Sequence, residues 1–383
     1  MKAFHFEPCR LPEETRPLRE EVRQFLDEHL RDYPLQLRAY TWTGYDPEFS
    51  RKVGERGWIG MTWPKTYGGS ERSALERYVV LEEMLAAGAP VGAHWVGDRQ
   101  SGPLLLRYGT EEQRRRLLPA ICRGEIFFCI GMSEPDSGSD LASIRARAER
   151  ADGGWRINGT KLWTSGAQRC GFMIALFRTG TDPEDRHAGL SQFIVPLDGP
   201  GITIRPIRDL SGNDHFCEVV FEDAPVPEDA IVGNEGDGWM QVITELAFER
   251  SGPERYLSCY PLLSALLGEL GDKPGERSLI GVGRQLAHLA TLRNMSISVA
   301  GLIEAGESPA LEACVVKDLG GVFEQALPGF ARSLLDVEPR ADEGGSEYQQ
   351  ALALLTQIAP SFSLRGGTRE ILRGIIARGL GLR

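Results

Sequence analysis

Two stretches of the sequence carry residues that could do chemistry. Met132–Asp140 (MSEPDSGSD) packs turn formers and small hydroxyls behind an apolar run. Such a loop can aim backbone N–H groups and hydroxyls at a polar ligand, or it can be a capped turn and nothing more. The second stretch offers a carboxylate. Trp239, Val242, Leu246 and Glu249 recur at intervals of three or four, which puts Glu249 on the apolar face of a helix. A carboxylate buried there has its pKa raised and can serve as a base. The same spacing also suits a helix-edge residue or a structural ion pair. Trp163, followed by Ser165, is open in the same way: an aromatic platform or an ordinary half-buried strand residue.

Several chemistries lack their motifs. No G-x-G-x-x-G follows a strand and opens a helix, so a Rossmann nicotinamide site is unsupported. Gly154 to Lys161 approaches a P-loop, but Thr160 and Lys161 come in the wrong order. The six histidines form no HxxH or HExxH set, and no nucleophile elbow presents a serine. What remains is chemistry on an organic cofactor. The net charge of -11 argues against general nucleic-acid binding, yet leaves room for local basic pockets. Seven scattered cysteines without paired spacing suit reduced thiols in a cytoplasmic protein. Met1 to Pro8 shows no secretory pattern, and no stretch reads as apolar enough to cross a bilayer.

The elements that must position these residues change character twice along 383 residues. From about Glu13 to Gly124 the apolar spacing is helical, with a capping box of Thr110 and Gln113 before Leu117 and Leu118. From Phe127 to about Asp223 short strands are predicted at 127–132, 172–177, 190–195, 202–207 and 217–221. Asp152-Gly153-Gly154 marks a turn, and Asn158-Gly159 between two β-type triplets predicts a two-residue hairpin. After Gly238 helices return, over 239–250, 256–270, 281–306, 310–335, 349–359 and from Thr368 to Gly379. Val337 to Tyr348, acidic and Gly-containing, is a predicted mobile loop.

The loop, the strand and both ends of the last helical region carry a resemblance. MSEPDSGSD resembles the EPxxGSD motif of the acyl-CoA dehydrogenase family. Asn158–Ser165 (NGTKLWTS) resembles its NGxKxW motif. Glu235–Trp239 (EGDGW), with Leu246–Arg250 (LAFER), looks like the start of its third domain. Gly366–Ile371 (GGTREI), with Ile375 and Ile376, resembles its C-terminal signature. The resemblance implies an α+β multidomain fold. Its parts are an N-terminal helical domain (1–125), a middle antiparallel β-barrel or sandwich domain (126–237) and a C-terminal four-helix bundle (238–383).

The resemblance also implies FAD as cofactor and an acyl-CoA thioester as substrate. Met132 and Ser133 would meet the isoalloxazine, Trp163 would cover its face and Ser165 would reach toward N5. Thr368 and Glu370 would hold the cofactor from the last helix, with Arg277 gripping the FAD of a neighbouring subunit. Ser139 and Arg250 would serve the substrate. The family places its base either just before the GT of the C-terminal signature, here Gly366, or on the earlier helix, as in isovaleryl and long-chain members, where Glu249-Arg250 matches. Glu249 is therefore the expected base and Glu254 a reserve, with the Gly366 N–H at the thioester carbonyl. Space beside Gly366 would admit a branched or bulky acyl group. Electrons would pass to an electron-transferring flavoprotein, and the chain would assemble as a homo- or heterotetramer. Arg277-Ser-Leu-Ile280 replaces the family's Phe by Ile, and its Q-x-x-G-G loop is not evident. These departures keep a half-site subunit of an α2β2 enzyme open as an alternative, beside an acyl-CoA oxidase-like flavoenzyme.

Overall fold

The computed structural model describes residues 4–248 and 250–382. Helices come first: α1 (Arg16–Leu30), α2 (Leu35–Arg38), α3 (Pro47–Glu55), α4 (Ala74–Ala87), α5 (Gly92–Val96), α6 (Gly102–Tyr108) and α7 (Glu111–Cys122). Seven strands follow: β1 (Phe128–Gly131), β2 (Arg147–Ala151), β3 (Gly154–Ser165), β4 (Phe172–Arg178), β5 (Leu190–Pro196), β6 (Ile202–Ile207) and β7 (Phe216–Pro227). Helices then return as α8 (Gly238–Phe248), α9 (Tyr260–Leu270), α10 (Glu276–Glu304), α11 (Ala310–Leu334), α12 (Glu347–Ile358) and α13 (Arg369–Gly379). The α-β-α order is the one the sequence predicts, and the capping box at Thr110 and Gln113 opens α7.

The chain forms two compact units: Met1–Asp46, Arg72–Gly92 and Ala247–Arg383 in one, Pro47–Glu71 and Ala93–Leu246 in the other. In the helical unit, Leu262 and Leu266 of α9, Leu327 and Ala331 of α11, and Leu352 and Leu355 of α12 share one buried core with Phe362. Charge ties α1 to α4 and α10 there. Arg19 bonds both Glu82 and Glu83, Arg23 bonds Glu83, and Arg293 bonds Glu82.

In the other unit the strands make one curled sheet in the order β1-β4-β2-β3-β7-β6, with β5 on β4. Most pairings are antiparallel; β1 and β2 run parallel to β4. Trp155, Phe177, Phe193 and Phe221 fill its concave core through edge-on ring contacts.

Two expectations need correction. Asn158-Gly159 is no hairpin: β3 runs straight through it, and the turn is Asp152-Gly153, with Gly153 at φ 80°. Gly159 has another reason to be glycine. A Cβ there would fall 2.5 Å from Ala146 Cβ and 2.6 Å from its Cα, so Ala146 of the neighbouring segment fills its side-chain space. The second concerns bilayer-length stretches. α10 has 29 residues and a window of mean hydropathy 1.2, enough by length and composition alone, with a third of that window buried. Arg284, His288 and Arg293 interrupt its apolar residues and hide the average from inspection.

Candidate active site

β3 presents its site residues through a change of phase. Trp155, Ile157 and Lys161 alternate into the core. Between the pairs Lys161–Val219 and Thr164–Cys217, β3 uses one residue more than β7. This is a bulge, and Trp163 takes its strain at φ 60°. In a regular strand Trp163 and Ser165 would share the inward face of Lys161. The extra residue reverses them: Thr164 is buried, Ser165 is exposed, and Trp163 is 56% exposed for a residue of its size. The indole therefore lies open, in a T-shaped contact with the Phe216 ring at 5.9 Å.

The loop after β1 is drawn to the same place. The Leu162 N–H donates to the Ser133 carbonyl (2.8 Å), and Lys161 Nζ donates to the Met132 carbonyl (3.3 Å). Met132 and Ser133 thus lie against β3 one step from Trp163. Met132 is half-buried on Ile144, Leu176, Leu190 and Val242. Glu134 and Ser137 exchange backbone bonds, which closes the turn, and Ser137 Oγ donates to the Asp140 carbonyl (2.7 Å). Ser139 is exposed on this turn. The Ser143 hydroxyl and then Arg186 hold the exposed Asp140 carboxyl below its ordinary range.

In the helical unit the candidates gather on a glycine turn. Gly366 (φ 64°) and Gly367 (φ 99°) are both left-handed, where side chains are strained. Arg250, which is buried, donates from Nε to the Gly366 carbonyl (3.3 Å), and Lys317 donates to the Gly367 carbonyl (2.9 Å). Next to them Arg365 lies over the rings of Phe362 (4.1 Å) and Trp42 (4.4 Å) and pairs with buried Glu324 at 3.2 Å. Burial lowers Arg365 to about 10, opposed by Glu324, whose own carboxyl is raised chiefly by burial. The space expected beside Gly366 is filled from within this unit. A Cβ there would meet an Arg255 guanidinium nitrogen at 2.9 Å and Lys317 Cε at 3.2 Å.

The other candidates divide. Thr368 caps α13, its hydroxyl accepting from the Ile371 N–H at 3.4 Å, and Glu370 is exposed in the first turn. Its carboxyl is lowered first by its own N–H, then by the Thr368 hydroxyl. Glu254 is buried with Arg255 Nε 3.5 Å from its carboxylate. Arg277 is exposed in the first turn of α10. Glu249 lies outside the described residues. Sequence reading gave no role to Lys161 or Glu134, which form a buried pair at 2.8 Å. The signal was available: Trp155, Ile157 and Lys161 share one parity, which predicts an inward-facing lysine.

The sheet face suits a flat, heteroatom-rimmed ring system such as flavin. An open indole stands beside the Ser133 and Ser165 positions. The Thr164 hydroxyl, buried next to it, meets no hydrogen-bond partner among the described residues. The helix–sheet–helix order and this open indole suit a flavin-binding protein. Residues 12–125 match the acyl-CoA dehydrogenase N-terminal domain and residues 129–224 its middle domain. The chain is 34% identical to acyl-CoA dehydrogenase FadE34 of Mycobacterium tuberculosis over 87% of its own length but only 46% of that protein's. It is 32% identical to acyl-CoA dehydrogenase IpdE1 of Mycolicibacterium smegmatis, over 96% of this chain and 98% of that one. Among solved structures, a steroid ACAD designated Tcur3481-Tcur3483 superposes with a TM-score of 0.86 at 29% identity, covering 98% of this chain and 99% of that chain. The chain belongs to the acyl-CoA dehydrogenase family, flavin-dependent oxidoreductases of CH–CH groups.

Proposed function

We propose that the chain is an FAD-dependent acyl-CoA dehydrogenase that converts an acyl-CoA to its trans-2-enoyl-CoA. The observation that carries this reading is the bulge in β3, which turns Trp163 and Ser165 outward beside Met132 and Ser133. Segments 1–125, 126–237 and 238–383 act as its three domains. When bound, FAD supplies the acceptor for the β-hydride. Trp163 covers one face of the ring, while Ser133, Ser165 and the Thr164 hydroxyl offer polar partners along it. Thr368 and Glu370 hold the cofactor from the start of α13.

Glu249 takes the α-proton. Its removal needs the thioester oxygen stabilised as negative charge builds there, and the Gly366 N–H supplies a donor. Arg250 and Lys317, bonded to the carbonyls of Gly366 and Gly367, hold the two peptide planes that follow this N–H and so the turn that carries it. Ser139 meets the CoA end of the substrate. Arg277 contacts the cofactor of a neighbouring subunit in a tetramer, and an electron-transferring flavoprotein reoxidises the enzyme.

The acyl group is bulky and polycyclic. Likeness to a steroid ACAD supports this, whereas room beside Gly366 no longer does. A second reading, a heteromeric enzyme built with an unlike chain, is favoured by the apolar residues that the first turns of α10 leave exposed, Leu279, Ile280 and Leu286. The test incubates the purified protein with FAD, a dye acceptor and thioesters from butyryl-CoA to steroid-side-chain CoA. A product two hydrogens lighter is expected from the bulky thioesters. Absence of any enoyl product, alone or with a co-expressed partner chain, overturns the proposal.

A further inference from the structure

Lys161 has no role in the reaction described above, yet it is the most deeply buried cation in the sheet unit, with none of its surface exposed. Its ammonium bridges two parts of the loop after β1: the Met132 carbonyl at 3.3 Å and Glu134 Oε1 at 2.8 Å. Glu134 in turn accepts from the backbone N–H groups of Arg145 (2.6 Å) and Ala146 (3.0 Å). One buried ion pair therefore ties together the end of β1, the middle of β3 and the approach to β2. It sits directly behind Met132 and Ser133. An ammonium and a carboxylate are costly to bury, and apolar pairs of similar volume are often as stable, so stability alone is a weak reason for this pair.

We propose that the Lys161–Glu134 pair is a positioning device that sets Met132 and Ser133 against the flavin and balances the charge behind it. The inference rests on the FAD-binding reading. The pair contributes no atom to substrate or cofactor. It acts by holding the Met132 carbonyl inward, which leaves the following N–H and the Ser133 hydroxyl to face the ring.

The surroundings make the device sensitive to pH. Facing Lys161 are Glu134 from the loop, the Phe177 ring of β4 at 5.1 Å, and Val219 of β7 paired opposite. The nearby Arg145 and Asp136 side chains pair with each other at the surface, 3.6 Å apart. Burial lowers Lys161 from 10.5 to about 8, opposed by Glu134. Above about pH 8 the lysine loses its proton, and the Glu134 carboxylate stands uncompensated behind the cofactor site. The sign for the fold is opposite. A lysine lowered by folding binds fewer protons folded than unfolded between pH 8 and 10.5, so its own titration favours the folded state as pH rises. Weaker FAD binding in that window is therefore not loss of fold.

The experiment titrates FAD into apoprotein from pH 6.5 to 9.5, following flavin fluorescence and, in parallel, thermal unfolding without FAD. It uses the wild type, Lys161→Met, Glu134→Gln and the double variant. For the wild type, Kd should rise roughly tenfold across a step centred near pH 8, while apoprotein stability does not fall there. Lys161→Met should bind FAD roughly ten- to a hundredfold more weakly at pH 7 and show no step. The double variant, free of an orphaned charge, should recover stability but not affinity. If Lys161→Met folds and binds FAD like the wild type, the inference is overturned. If that variant does not fold, the wild-type profile decides, and a flat Kd between pH 7 and 9 overturns it. A wild type that binds no FAD at any pH overturns the functional reading together with this one.

Discussion

The two groups of candidate residues are positioned by different physics. On the sheet, one extra residue in β3 does the work: Trp163 and Ser165 are turned outward by register, and among the described residues of the strands and the loop after β1 the buried charges are the compensated pair behind them. At the glycine turn of the helical unit, Arg250, Arg255, Lys317 and Arg365 are gathered with Glu254 and Glu324 around two left-handed glycines. Register places a group at the cost of one strained residue, Trp163 at φ 60°, and leaves it exposed. Buried charge places a group firmly, but removing any one member leaves its partners unsatisfied in a low dielectric. Substitutions on the sheet face should therefore change ligand binding with little effect on stability, and substitutions at the turn should change both.

The largest effect is expected at Glu249. Glu249→Gln should retain FAD and slow thioester-driven flavin reduction about a thousandfold or more, read by anaerobic rapid mixing. Next come the turn substitutions. Gly366→Ala puts a side chain at φ 64° against Arg255 and Lys317, and should destabilise by about 2–3 kcal/mol in denaturant melts while lowering kcat. Lys317→Met leaves the Gly367 carbonyl without its donor and should cost about 1–3 kcal/mol. The smallest stability change belongs to the sheet. Trp163→Ala removes an exposed ring and should stay within about 0.5 kcal/mol of the parent, yet weaken FAD binding about tenfold by equilibrium titration. A Trp163→Ala loss as large as that of Gly366→Ala would erase the distinction between the two regions.

The same distinction explains what the sequence disclosed. Apolar spacing marked α9, α11, α12 and α13 within a few residues, because amphipathic helices write their burial into a local period. The strands at 172–177, 190–195 and 202–207 were legible as short β-type runs. β2 was not: Arg147–Ala151 (RAERA) holds three charges and two alanines and carries no strongly apolar signal. Asn158-Gly159 misled because local turn chemistry yielded to a tertiary constraint, the passage of Ala146 over Gly159. The motif residues came by resemblance, and their geometry could not. A bulge depends on the partner strand, so the outward turn of Trp163 has no local sign. The cations beside Gly366, Lys317 and Arg255, lie 49 and 111 residues earlier in sequence, and only packing reveals that they crowd its Cβ position.

The most direct test of the account is the visible spectrum of the FAD-loaded protein, recorded anaerobically before and after a bulky acyl-CoA thioester is added. Bleaching of the flavin band by the thioester, with Trp163→Ala binding less FAD but Glu249→Gln holding FAD unbleached, is the predicted result. A flavin band that no thioester bleaches, or one that bleaches equally in Glu249→Gln, would contradict it.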